Sequence, residues 1–137
     1  MSGEARPVPV PDTDSEPYWN AAAEGRLVIQ RCDACGRHQA YPRLLCIACG
    51  ALHPTWVEVS GAGTVYSYTV NHRAAAPWAK SLVPYIVALI DLAEGPRLMA
   101  NIDADPSEMQ VGMAVAVWFE ELAPGVSLPQ FRPQSKE

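Results

Sequence analysis

Four cysteines, Cys32, Cys35, Cys46 and Cys49, form two Cys-x-x-Cys pairs, each followed directly by a glycine, Gly36 or Gly50. In such a knuckle the turn after the first cysteine aims both thiolates at one point, and the glycine supplies the positive backbone angle that the turn needs. Two knuckles therefore offer four sulfurs to one tetrahedral ion, the closed form of a structural zinc site, with no position left for water. A rubredoxin-type iron centre uses the same four sulfurs, so the ligand set admits zinc first and iron second. Disulfides would require an oxidising compartment, yet the opening MSGEARPVPVPDTDSEPYW has no apolar signal-peptide core, which makes a cytoplasmic setting the expectation. A thioredoxin-like redox pair would need a strand–helix context that neither pair has. The cysteines are thus expected to staple a small segment rather than to catalyse.

Little else in the chain has the makings of a catalyst. With the thiols committed to metal no free cysteine nucleophile remains, and His38, His53 and His72 stand apart from one another. His38, inside the cysteine segment, is a spare ligand at most. Asp91 and Glu94 flank a turn, and Glu120 and Glu121 end a strand, positions where carboxylates are expected to be solvated or locally bonded. The expectation is a helper rather than an enzyme.

The formal net charge of −5 argues against a nucleic-acid backbone as the main partner, and no apolar run reaches the roughly 20 residues of a membrane span. The charge is uneven. Arg26, Arg31, Arg37 and Arg43 face only Asp33 around the cysteines, while the stretch from Asp91 to Glu121 is acidic. The cysteine segment could thus meet an anionic small molecule or an acidic protein face.

Elements must hold these groups in place. Residues 1–25 read as an extended arm with Pro7, Pro9 and Pro11, either disordered or laid across a partner, followed by a short docking helix. Asp14 or Ser15 caps that helix, Tyr18, Trp19, Ala22 and Ala23 form its apolar face, and Gly25 stops it. Residues 26–54 read as the metal ribbon, with a strand before the first knuckle and another through Tyr41, Pro42 and Arg43. Residues 55–133 carry at least five strands with short turns, and Gly61, Gly63 and Gly112 lie where a small barrel must bend. In the strand Thr64–His72 the set Tyr66, Tyr68, Val70 and His72 is the expected inward face. The loop from Ala74 to Pro84 is expected to expose Trp78. The fold class is mainly β: an N-terminal helix, a small four-cysteine zinc ribbon and a five-stranded OB-fold barrel.

Taken together, SEPYWNAAAEGRLVIQRCDACG, YPRLLCIACG, VSGAGTVYSYTVNHR, PYIVALIDLAEGPRLMANI, VGMAVAVWFE and LPQFRP resemble the family that joins a rubredoxin-like zinc ribbon to a C-terminal OB-fold, long classed as a domain of unknown function. The likeness covers about residues 12–133. Two departures are Ala40-Tyr41-Pro42-Arg43, where relatives commonly carry two prolines before the arginine, and Ile47, where proline is frequent after the third cysteine. The resemblance implies a non-catalytic partner of thiolase-like or lipid-transfer-protein-type enzymes, including steroid side-chain aldolases, or of acyl-CoA hydratases. It implies a hetero-oligomer that helps to bind an acyl-CoA thioester. In that setting Arg37 and Arg43 are the candidates for the CoA phosphates, and Trp78, Tyr85 and Phe131 for apolar contact. A single-stranded nucleic-acid binder is the alternative that an OB-fold always raises, and the acidic second half weighs against it.

Overall fold

The computed structural model describes residues 6–134. The first element is a helix, α1 (Glu16–Ala23), preceded by a turn in which the Ser15 N–H donates to Asp12 Oδ1 (2.8 Å) and the Asp12 N–H to Ser15 Oγ (3.1 Å). Ser15 takes the N-cap position, but its hydroxyl serves Asp12 and caps no helical N–H. Gly25, at φ +78°, ends the helix. The Arg26 N–H reaches the Ala21 carbonyl and the Gly25 N–H the Ala22 carbonyl, both at 2.9 Å, which satisfies two orphan carbonyls of the last turn.

An eight-residue helix is marginal alone and needs a surface to lie on. Here it lies on its own chain, against the first ribbon strand and the last barrel strand, with Ala21 and Ala22 buried and Tyr18 packed on the core. Tyr18 meets Trp19 edge-on at 5.1 Å between ring centres. Burial, with a smaller contribution from Tyr41, pushes the Tyr18 phenol up from 10.0 to about 12.

The ribbon sheet has β1 (Val28–Arg31) in the middle, antiparallel to β2 (His38–Gln39) and β3 (Thr55–Glu58). β3, which the sequence places with the barrel, hydrogen-bonds to the ribbon instead. Tyr41 to Arg43 form no strand, since Pro42 cannot donate to a ladder.

The barrel strands are β4 (Ala62–Asn71), β5 (Tyr85–Leu92), β6 (Arg97–Ile102), β7 (Ala114–Ala123) and β8 (Val126–Pro133). They close in the order β4-β5-β6-β8-β7, antiparallel except where β6 meets β8 through Ile102 and Phe131. That closure is the five-stranded Greek-key barrel of an OB-fold. β5 alternates strictly, with Ile86, Ala88, Ile90 and Leu92 buried inside and the residues between them half-buried outside.

β4 departs from simple alternation. Its register with β5 shifts between Val65 and Ser67, so Tyr66 has no partner, and the buried side passes from Gly63 and Val65 to Tyr68 and Val70. Tyr66 is therefore exposed, not inward, and Arg97 stacks on its ring 3.5 Å from the centre while bonding Asp91 at 2.6 Å. A bulge bends the strand, as barrel closure requires.

Two glycines permit close approaches at this seam. A Cβ on Gly61 would sit 2.3 Å from Val117 Cγ1, and one on Gly63 2.7 Å from Ile90 Cγ2 and 2.8 Å from the Asp91 carbonyl oxygen. The core runs without a break from ribbon to barrel: Leu27, Ile29, Ala40 and Val59 belong to one cluster with Val65, Ile86, Ile90, Val115 and Phe131. Among the described residues no helix is long and apolar enough to cross a membrane.

Two outcomes follow from this packing. Gly63→Ala should destabilise the chain by about 2 kcal/mol in urea unfolding, because one of the two opposing atoms, the Asp91 carbonyl oxygen, is backbone and cannot swing away. In an alkaline titration read by phenolate absorbance, one tyrosine should ionise near pH 12 and disappear in Tyr18→Phe. Because the Tyr18 pKa is raised by folding, the unfolded chain loses this proton first, so the Tyr18 contribution to stability should fall as pH rises through 10 towards 12.

Candidate metal centre and adjoining surfaces

The two knuckles repeat one hydrogen-bond scheme. In the first, Gly36 N–H donates to the Cys32 carbonyl and Cys32 N–H to the Arg37 carbonyl; in the second, Gly50 donates to Cys46 and Cys46 to Ala51, all four bonds at 2.8 Å. Gly36 and Gly50 have φ of +80° and +82°, as their position after each pair requires. The Cys35 N–H also points at Cys32 Sγ (3.4 Å) and the Ala48 N–H at Cys46 Sγ (3.3 Å).

All four sulfurs lie within 4.8 Å of one another, with Cys32 to Cys49 at 3.6 Å and Cys35 to Cys46 at 3.7 Å. A tetrahedron with about 2.3 Å metal–sulfur bonds has edges of about 3.8 Å, while a disulfide needs about 2.05 Å, so the spacing fits an ion and not a bridge. Cys32 and Cys46 are buried; Cys35 and Cys49 are exposed.

Their closeness spreads the thiols apart in acidity. The Cys49 backbone N–H pulls the Cys46 thiol down to about 6, and the Cys35 backbone N–H lowers Cys32. Cys49 is lowered by the Ala51 N–H, yet its hydrogen bonds to Cys32 and the other sulfurs drive it up to about 11. Four thiolates this close need a cation between them. His38 is in β2 opposite Arg31 and is not in the cluster.

Sequence reasoning did not anticipate what holds the loop between the knuckles. Gln30 and Gln39, 5% and 7% exposed, bond to each other, Nε2 of Gln39 to Oε1 of Gln30 at 2.7 Å. Gln30 also grips both sides of the Arg43 peptide, accepting from its N–H and donating to its carbonyl, each at 2.9 Å. Gln39 donates to the Leu45 carbonyl (3.2 Å) and accepts from the Ile47 N–H (3.1 Å), clamping the chain on both sides of Cys46. The available signal was two glutamines at buried strand positions, where apolar residues are usual.

Arg37 and Arg43 are exposed and make no ion pair among the described residues, whereas Arg26 is engaged by Glu24 (2.7 Å) and Glu58 (3.6 Å). Neither Arg37 nor Arg43 lines a cavity with Trp78. Trp78 lies in the β4–β5 loop on a short 3₁₀ turn, Pro77–Ala79, and is half-buried rather than exposed. It lines a cavity of about 330 Å³ with Tyr85, Trp118, Asn101, Glu120 and Gln130.

Arg6 lines one side of this cavity. Its guanidinium bonds Glu120 at 3.1 Å and sits 6.0 Å from the Trp78 ring centre. At Arg6 the proline-rich arm therefore crosses its own barrel, and Glu120, expected to be solvated, is bonded to both Arg6 and Gln130. Phe131 is fully buried in the barrel and offers no contact to a ligand or partner. A second, more apolar groove of about 460 Å³ lies between α1, Tyr41 and Pro42 of the ribbon, and the outer wall of β6 and β8.

The glutamine clamp predicts a readable effect on metal retention. Gln39→Leu removes both bonds that flank Cys46, and the bound ion should pass to a competing chelator with roughly 10-fold lower chelator than the wild type requires.

Comparison with known proteins places this architecture. Residues 19–53 match the family described as "ChsH2, rubredoxin-like zinc ribbon domain", and residues 56–120 that described as "ChsH2, C-terminal OB-fold domain". A probable enoyl-CoA hydratase alpha subunit of Thermomonospora curvata is 40% identical over 129 residues, which are 93% of this chain and 40% of that protein. The 3-oxo-4,17-pregnadiene-20-carboxyl-CoA hydratase alpha subunit of Mycobacterium tuberculosis is 31% identical, over 91% of this chain and 39% of that protein. The chain thus spans about two fifths of the length of these two relatives. A DUF35 domain-containing scaffold protein of Methanocaldococcus jannaschii is 34% identical, over 70% of this chain and 69% of its own length. Among solved structures, one titled "Ltp2-ChsH2(DUF35) aldolase" superposes with a TM-score of 0.81 at 40% identity, covering 91% of this chain and 98% of that one. With residues 19–53 and 56–120 matching the two family descriptions and a relative of the family covered over most of its length, the chain belongs to the ChsH2/DUF35 family of zinc-ribbon and OB-fold proteins.

Proposed function

We propose that this chain is a non-catalytic accessory subunit of a thiolase-like, lipid-transfer-protein-type enzyme, and that it helps the complex hold an acyl-CoA thioester. The observation that carries this reading is the 40% identity and 98% coverage of a chain from a structure titled as a two-component aldolase. The scaffold name of the archaeal relative points the same way. The site chemistry supports a helper role: the four thiols converge on one closed centre, and among the described residues no histidine joins it. The ion in that centre is zinc, one per chain, since four thiolates in a tetrahedral array make the usual closed zinc site.

For the thioester, Arg37 and Arg43 present guanidinium groups free to meet the phosphates of CoA, and such charge-assisted bonds are the strong ones. The cavity walled by Trp78, Tyr85 and Trp118 would take the apolar acyl portion. A steroid side chain is the acyl class that the aldolase and pregnadiene-carboxyl-CoA relatives favour.

A second reading, a subunit of an acyl-CoA hydratase, is favoured by the two hydratase alpha subunits, which match over nearly the whole chain. Co-expression separates them. The chain should co-purify with a thiolase-like subunit encoded beside it, bind zinc stoichiometrically, and turn over no acyl-CoA alone. Stable pairing only with a hydratase subunit would install the second reading, and robust turnover by the isolated chain would sink both. Within the complex, Arg43→Ala should weaken acyl-CoA retention about 10-fold, more than it weakens assembly.

A further inference from the structure

The second knuckle carries an exposure pattern that metal binding does not explain. Five of the eleven exposed large apolar side chains among the described residues, Tyr41, Leu44, Leu45, Ile47 and Leu52, fall within one short stretch. Ile47 is 67% exposed, Leu52 62% and Leu45 40%. Cys46, between Leu45 and Ile47, is by contrast buried at the metal centre. Leu45 and Leu52 are bridge partners across the knuckle, and so share one face.

The backbone that presents them is held rigidly. Gln39 fixes the Leu45 carbonyl and the Ile47 N–H, the Leu44 carbonyl accepts from the His53 N–H (2.8 Å), and the Cys46 N–H reaches Ala51. His53 takes the left-handed region, φ +59°, a conformation that a non-glycine residue adopts at a cost. Rigid aliphatic groups in solvent, beside a centre that already fixes the fold, are the composition of an interface core.

We propose that this knuckle surface is where the catalytic subunit docks, through a face that is apolar at its centre and acidic at its rim. The proposal rests on the accessory-subunit reading and names the surface that serves it. Charge selects the occupant. Arg43 adjoins the apolar cluster, Arg37 follows the first knuckle, and both lack an ion partner among the described residues, so the complementary face carries carboxylates. A second copy docked symmetrically would set these arginines against their like. A barrel-to-ribbon contact between copies would leave a free end on each and would not close.

The test uses the zinc-loaded full chain and the thiolase-like subunit. Ile47→Asp and Leu52→Asp should each weaken the complex about 30-fold, and Arg43→Glu should weaken it further in low salt than in high salt. Val111→Asp, at an exposed position before β7, should change the affinity less than about 2-fold. Zinc content and thermal unfolding report whether each variant folds; Ile47→Ser replaces Ile47→Asp if the aspartate does not. Wild-type binding that survives unchanged in zinc-loaded Ile47 and Leu52 variants would overturn the docking surface and leave the accessory-subunit reading standing. Self-association of the wild type that Ile47→Asp abolishes would overturn it in favour of a second copy. Absence of any complex with the wild type would overturn the accessory-subunit reading and this surface together.

Discussion

Four sulfur atoms within 4.8 Å of one another cannot all carry charge unless a cation stands among them. That constraint organises the ribbon. The two knuckles repeat the same pair of bonds because each must deliver two sulfurs to one point, and Gly36 and Gly50 follow because only a positive φ lets the chain leave again. A segment this small has too little interior to fold by burial alone, so ion binding and folding are one event there. The ion does not act alone, however. Leu27, Ile29, Ala40 and Val59 run into the barrel's cluster, so the ribbon borrows a hydrophobic core as well as a metal.

The barrel has its own constraint. Five strands close only if the first bends, and β4 does so through the unpaired residue Tyr66, with Gly61 and Gly63 letting Val117 and Ile90 press against its backbone. The bulge turns Tyr66 outward, where Arg97 covers its ring and is itself held by Asp91. One local irregularity therefore decides which side chains fill the core and which meet solvent.

Much of this was legible because it is local. Cysteine spacing, the Gly25 stop and the alternation of YIVALIDL each depend on near neighbours, and β4, β5, β6 and β7 follow from such signals; β8 does not, because VSLPQFRP carries two prolines and reads as a closing tail. The order in which the strands close, β4-β5-β6-β8-β7, comes from the structure alone. What escaped is long-range. The Arg6–Glu120 pair joins residues 114 apart in sequence, and no local pattern in PVPVP foretells it. On β4, Tyr68 and Val70 face the core as alternation predicts, but Tyr66 does not, because strict alternation has no means of inserting one extra residue. Gln30 and Gln39 were overlooked because composition treats glutamine as a surface residue, while here two amides serve the backbone of a loop that has no ladder of its own. Phe131 was offered as a contact residue, yet it sits where β6 and β8 meet and fills the barrel.

These corrections change how the surfaces divide. From the sequence the aromatic helix α1 could dock on the ribbon, the main domain or another chain, and Tyr18 and the buried alanines are taken up by the chain's own ribbon and barrel. Trp78 looked free, but Arg6 and the walls of its cavity cover part of it. An exposed side chain is informative only when the fold had an alternative, and at the second knuckle it did: polar residues there would bind the ion equally well. Leu45, Ile47 and Leu52 are instead held outward by a buried glutamine and a cysteine of the four-sulfur cluster, which fix the backbone and leave the side chains unused within the chain. A rigid apolar surface loses little conformational entropy when covered, so its energetic return comes on association and not on folding. In this chain the metal centre is best understood as the frame that keeps that surface in shape.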